Sequence, residues 1–215
     1  RLFQRADLAA LAIVFTFGAL VNAFAMTSPA YALERRLAGL LHVHSEGPVL
    51  AAVFLSALVL VPALLLFGAH GLARLVAGSA LSARRAVTQF AFALVPFGFG
   101  VWLAHYGFHL LTGVLTIVPV TQSAAIDLFG AAMLGEPLWG WTGMAPGQVY
   151  PIQLGFLILG ACGSLALVQA GSSRDTPQRS GAATVPWYAI VLALFVAAVW
   201  ILHQPMDMRG LGGVG

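Results

Sequence analysis

Five stretches of this chain, residues 8–26, 48–76, 88–112, 152–170 and 187–203, are apolar over the length an α-helix needs to cross a lipid bilayer. The hydrocarbon layer is about 30 Å thick, and at about 1.5 Å of rise per residue roughly 20 residues span it. None of the five carries a charged residue near its middle. The supply of charge points the same way. Only 8% of the 215 residues are charged, whereas a soluble domain uses roughly 25% to cover itself with a wet surface. Backbone N–H and C=O groups find no partner in hydrocarbon, so a chain that faces lipid satisfies them internally, as helix. The expectation is an all-α integral membrane bundle of about five transmembrane helices, forming one domain over residues 1–209 with a flexible tail at 210–215.

The connections refine this expectation. Pro62 predicts a kink in the second span, and Pro96, Gly98 and Gly100 predict bending or thinning in the third. Residues 30–41, AYALERRLAGLL, place apolar residues at helical spacing beside Glu34, Arg35 and Arg36, which suits a short helix lying in the membrane interface. The longer segment 114–150 holds Trp139, Trp141 and Tyr150, aromatics that belong at headgroup level. Within it, SAAIDLFGAAML reads as a second interfacial or re-entrant helix. Residues 171–186, GSSRDTPQRSGAATVP, read as a polar linker. The first apolar run lacks an A-x-A-like cleavage site and is long enough to span, so it reads as a helix rather than a signal peptide.

Arginine sets the orientation, since every basic residue is arginine. With the N-terminus in the cytoplasm, Arg1, Arg5, Arg74, Arg84, Arg85, Arg174 and Arg179 fall inside and Arg35, Arg36 and Arg209 outside. The excess predicts an N-terminus in the cytoplasm and a C-terminus on the outer side; the expected membrane is a bacterial inner membrane, with the C-terminus in the periplasm. No basic patch is interleaved with aromatics, so nucleic acid is not an expected partner; the lipid bilayer and other membrane-protein subunits are.

The same topology sorts the histidines. His42, His44, His105, His109 and His203 fall toward the outer face, and only His70 toward the inner. HYGFH sets His105 and His109 at i and i+4, on one face of a helix, a spacing at which two imidazoles can chelate one ion. HVHSE adds His42 and His44, and HQPMDM adds His203, Met206 and Met208. Imidazole with thioether suits copper, Cu(I) in particular. Haem b is the alternative, with His105 or His109 facing His203 or a partner chain. The plainer reading of each histidine is an interfacial residue with a polar tip, and of Met206 and Met208 an apolar anchor. Cys162, the one cysteine, excludes an iron–sulfur cluster within this chain and reads as a small core residue. No phosphate-binding loop, dinucleotide fingerprint, nucleophile elbow or HExxH motif is present, so catalysis by a stand-alone enzyme has no signature.

The stretches ALVPFGFGVWLAHYGFHLLTG, TIVPVTQS and QPMDMRG resemble the C-terminal membrane region of bacterial polyferredoxin-type membrane proteins, the FixG/NapH-like group. The resemblance covers about the last two thirds of the chain. It implies a membrane anchor or electron-transfer partner, with a link to copper delivery in some members. The CxxC-type motifs of that group are absent here, so none of its cluster ligands carries over. The leading expectation is a membrane subunit of a redox, electron-transfer or copper-handling complex with an outer-face histidine constellation. A purely structural subunit packing against partner chains is the second. A small-solute transporter is the third, disfavoured because no span buries a charge.

Overall fold

The computed structural model describes residues 5–43, 45–79, 81–172 and 180–205. Among them every element is helical: α1 Ala6–Phe24, α2 Ser28–Leu41, α3 Glu46–Leu55, α4 Val61–Ala77, α5 Ala83–Ala93, α6 Val95–Gly113, α7 Ile117–Phe129, α8 Pro146–Ser172 and α9 Ser180–Leu202. A π-helical turn, Ser56–Leu60, joins α3 to α4, and a 3₁₀ turn, Val114–Thr116, joins α6 to α7. Five helical stretches are long and apolar enough to cross a membrane: Ala6–Phe24, Glu46–Ala77, Ala83–Phe129, Pro146–Gly171 and Gly181–Leu202. Each contains most of one expected span.

The differences have local causes. Pro62 disturbs its helix one turn ahead of itself, where the Val61 N–H bonds to the Ser56 carbonyl and opens a π turn; proline lacks the N–H that would close an ordinary turn there. The expected third span is the middle of a helical path of 47 residues, about 70 Å at helical rise and over twice the hydrocarbon thickness. That path is broken at Leu94, two residues before Pro96, and again at Val114–Thr116. SAAIDLF belongs to α7, which starts earlier, at Ile117, while GAAML does not continue it. The last part of the expected linker is helix, because α9 begins at Ser180 and carries Pro186 inside it. Helix α2 covers the expected interfacial helix; none of its residues is buried. Cys162 is exposed, contrary to the core position expected for it. Helix α8 buries Leu157, Ala161, Ser164 and Val168, a stripe at helical spacing that leaves Cys162 outside it.

The chain divides into two compact units, Arg1–Val101 with Leu157–Gly215, and Trp102–Phe156. In the first unit helices meet where side chains are small. A Cβ on Gly98 would come within 2.8 Å of the Thr16 Cα, and one on Gly160 within 2.8 Å of the Pro96 carbonyl oxygen. Such close approach is how helices associate when burial from water cannot drive them. Polar groups at the same crossing are paired: Thr16 Oγ1 donates to the Leu94 carbonyl at 3.3 Å, and the buried Phe97 N–H donates to Ser164 Oγ at 3.0 Å.

Contacts along α9 fix the helix directions in this unit. Phe90 of α5 stacks on Trp187 near the start of α9, with centroids 4.1 Å apart. Phe24, at the end of α1, meets Trp200 near the end of α9, and the Ser28 N–H donates to the Pro205 carbonyl at 3.0 Å. Gln89 of α5 donates to the Gly171 carbonyl and the Phe97 N–H to Ser164, so α5 and α6 run opposite to α8. Tyr188 of α9 donates to Gln169, so α9 starts beside the end of α8. With Thr16 of α1 bonded to the Leu94 carbonyl, α1, α5 and α9 run the same way, and the first turns of α1 and α5 share one end. Arg5, Arg84 and Arg85 stand at that end. Arg74 joins them in the last turn of α4, from which a short loop leads into α5.

Candidate metal site in the second unit

The second unit is built around the C-terminal half of α6. His105 and His109 lie one helical turn apart on it, and their rings meet nearly edge to face, with centroids 5.0 Å apart and planes at 84°. His105 is only 2% exposed. Its Nδ1 and the Nε2 of His109 are both buried and have no hydrogen-bond partner among the described residues. A buried polar atom left unpaired costs about 1–3 kcal/mol, so two on adjacent turns of one helix are a concentrated cost. An imidazole nitrogen in that state can bond to a proton donor or acceptor, or to a metal.

Neighbouring residues hold the two rings in place. Tyr106 packs edge-on against His105 at 5.1 Å, and Phe108 against His109 at 5.6 Å. Gln153 of α8, itself buried, donates from Nε2 to the Ala104 carbonyl at 3.0 Å, one residue before His105. Gly107, midway between the histidines, lets Phe156 of α8 come close: a Cβ there would stand 3.6 Å from its ring. Beyond the histidines, the end of α6 is bound to the loop that follows α7. The Met144 N–H donates to the Leu111 carbonyl at 2.8 Å, and the Leu115 N–H donates to the Thr142 carbonyl at 2.9 Å. Gly143 lies so close that a Cβ on it would stand 2.6 Å from the Thr112 carbonyl oxygen. The first part of the loop is held by Gln122 of α7, whose Nε2 donates to the Leu134 carbonyl and whose Oε1 accepts the Leu138 N–H, each at 3.0 Å.

The other expected donors belong elsewhere in the chain. His42 is exposed and caps the C-terminus of α2 in a left-handed conformation, φ 52°. His203 is exposed just past α9, its Nδ1 2.9 Å from the Val199 carbonyl oxygen. Both lie in the first unit. His44, Met206 and Met208 lie outside the described residues. Among the described residues, no three His, Cys, Asp or Glu side chains are grouped as a metal ion would need. Of the proposed constellation, then, the described structure brings together His105 and His109. Sequence reasoning assigned no role to Gln153 or Gln122. A glutamine within an apolar run is the signal that could have found both.

Comparison with protein-family models, curated proteins and solved structures returned no match.

Proposed function

We propose that this protein is an integral membrane subunit of a copper-handling or electron-transfer complex in a bacterial inner membrane, with His105 and His109 as the donors it contributes to a copper ion. The carrying observation is the pair of buried, unpartnered imidazole nitrogens one helical turn apart. Imidazole nitrogens bind a transition metal at about 2.0–2.1 Å, and two donors at i and i+4 on one helix suit a chelated ion. A haem iron held between two histidines needs them on opposite faces of the ring. Two residues on one helical stripe cannot both serve, so a haem would leave one of these rings unused. Zinc in a structural site takes four protein ligands, more than this pair provides. Copper, when bound, supplies one-electron chemistry or is itself the cargo. Remaining donors would come from a partner chain.

The membrane reading is supported by five helical stretches of sufficient length and apolarity. An N-terminus in the cytoplasm is supported by the gathering of Arg5, Arg74, Arg84 and Arg85 at one end of the first unit. A purely structural subunit is the second reading, favoured by the stretch Glu46–Ala77, which has an 18-residue apolar window only 17% buried within the chain and so offers a broad apolar face to partners.

The test is elemental analysis and optical spectroscopy of protein purified in detergent after growth with copper. The expected result is near one copper per chain with no Soret band, and loss of at least ten-fold in occupancy for both His105→Ala and His109→Ala. A metal-free protein from copper-replete cells, or copper retained in both variants, would sink the metal assignment and leave the structural reading.

A further inference from the structure

Helix α7 is inside out for a helix in water. Ile117, Val120, Ala124 and Leu128 recur at i, i+3, i+7 and i+11, a strip along one helical face. All four are exposed. The opposite face buries Pro119, Gln122 and Ala125 against the rest of the unit. Gln122 bonds there to the Leu134 carbonyl and the Leu138 N–H. A helix on a water-soluble protein turns its apolar strip inward and its polar side chains outward. Here the amide faces the protein and the apolar strip faces away from it, the arrangement of a helix whose outer neighbour is hydrocarbon.

The loop that follows carries the same kind of surface, with Leu138, Trp139 and Trp141 all exposed. Together α7 and this loop form a hairpin that leaves and rejoins the unit at one level. The Leu115 N–H donates to the Thr142 carbonyl, and the Met144 N–H to the Leu111 carbonyl, so residues 117–141 begin and end beside the last turn of α6. The apolar stretch of α8 starts there too, at Pro146, and runs back along α6 to bring Gln153 to Ala104. The root of the hairpin therefore lies where two spans end, which is headgroup level. The 13 residues of α7 extend about 20 Å, too short for a hydrocarbon layer of about 30 Å. The hairpin does not cross; it stands in water or lies in lipid, and its outward surface is the wrong one for water.

We infer that this hairpin is an interfacial anchor, with α7 lying in the lipid at the membrane face where α6 ends. Ile117, Val120, Ala124 and Leu128 then meet acyl chains, and Trp139 and Trp141 sit among the headgroups, the level that tryptophan favours. The unit's two charged residues, Asp127 and Glu136, mark the polar side. Asp127 falls at the edge of the apolar strip and Glu136 is exposed in the loop. A soluble partner would have to cover the strip at all times, whereas lipid does so wherever the adjoining spans are inserted. The inference rests on the membrane reading above and is independent of the metal. It sets His109, two residues before Leu111, about 3 Å of helical rise inside the headgroup boundary, where an ion arriving from water need not cross the bilayer to reach it.

Site-directed spin labelling of the full chain in phosphatidylglycerol/phosphatidylcholine vesicles tests this. The one cysteine is exposed, so Cys162→Ser gives a background for single labels at Val120→Cys, Leu128→Cys, Glu136→Cys and Leu64→Cys. All four positions are exposed, so a label there disturbs little packing. Power saturation with oxygen and with a water-soluble nickel chelate reads the depth of each. Labels at Val120 and Leu128 should lie about 5–10 Å below the phosphates, open to oxygen and shielded from nickel, while the label at Glu136 should favour nickel. Nickel access at Val120 and Leu128 equal to that at Glu136 would put the hairpin in water. Shielding of both from oxygen and nickel alike would mean that a second copy or another protein covers it. Either result overturns the proposal. Leu64 of α4, 65% exposed, separates the two levels. Nickel access there defeats the membrane reading itself, whereas oxygen access at Leu64 with nickel access at Val120 and Leu128 defeats only the anchor.

Discussion

The first unit has helices crossing backbone to backbone at glycines, with Gln89 as one further polar tie between α5 and α8; the second relies more on glutamines that reach to backbone groups. Gly98 lies against Thr16 and Gly160 against Pro96, backbone to backbone. In the second unit Gln153 reaches from α8 to the Ala104 carbonyl, and Gln122 spans to two backbone groups of the following loop. The first kind of contact is rigid, because a helix backbone cannot move aside without moving the whole helix. The second is a set of individual bonds, each of which can be lost alone. It also coincides with the two imidazole nitrogens that have no partner among the described residues. One unit thus has the character of a frame, and the other that of a site held in place by separate ties.

The strongest way to break this contrast is to add a side chain where the frame has none. Gly98→Val should cost about 3 kcal/mol or more, the upper range for overpacking, because its Cβ meets the Thr16 backbone. Gly68→Val is the control: nothing lies within 4 Å of a Cβ at Gly68. It should leave stability within about 1 kcal/mol of the parent, since the loss of glycine from a helix offsets the poor helix propensity of valine. Thermal unfolding in detergent measures both, and similar midpoints for the two variants would mean that the crossing yields more than a packed frame should.

Next in size is Ser164→Ala. It strands the buried Phe97 N–H, and an orphaned buried donor costs about 1–3 kcal/mol. Opposite in sign is His105→Leu. It removes a buried polar atom that has no described partner, so the metal-free protein should gain about 1 kcal/mol while losing its capacity for copper. A variant both less stable without metal and unchanged in metal content would show that His105 is held by bonds beyond the described residues and serves the fold.

Much of the frame was legible because long apolar runs without polar interruption favour helix throughout: every expected span overlaps an observed helical stretch long and apolar enough to cross a membrane. Pro62 and Pro96 were recognised as irregularities, but not where the irregularity would fall. Proline deprives a carbonyl one turn earlier, so the π turn comes at Ser56–Leu60 and the break at Leu94. Cys162 was misplaced because a helix that is apolar all round gives no periodic signal to tell core from lipid face. The HYGFH pair was legible from its spacing alone. Gln122 was not, since its partners, Leu134 and Leu138, are backbone groups of a loop whose path no local pattern dictates.

The smallest expected effect concerns that loop. Gln122→Leu removes two hydrogen bonds, yet both partners sit on exposed residues, Leu134 and Leu138, whose backbone groups water can serve once the amide is gone. The cost in global stability should therefore stay below about 1 kcal/mol, well short of Ser164→Ala, where the stranded donor is buried. The change should appear locally instead, as faster hydrogen exchange at the Leu138 amide with exchange in α1 and α9 unaltered. If copper occupancy at His105 and His109 fell along with it, the loop would be part of what holds the site. If exchange rose equally in both units, the ties of the second unit would be no more separable than the crossings of the first, and the distinction between frame and site would fail.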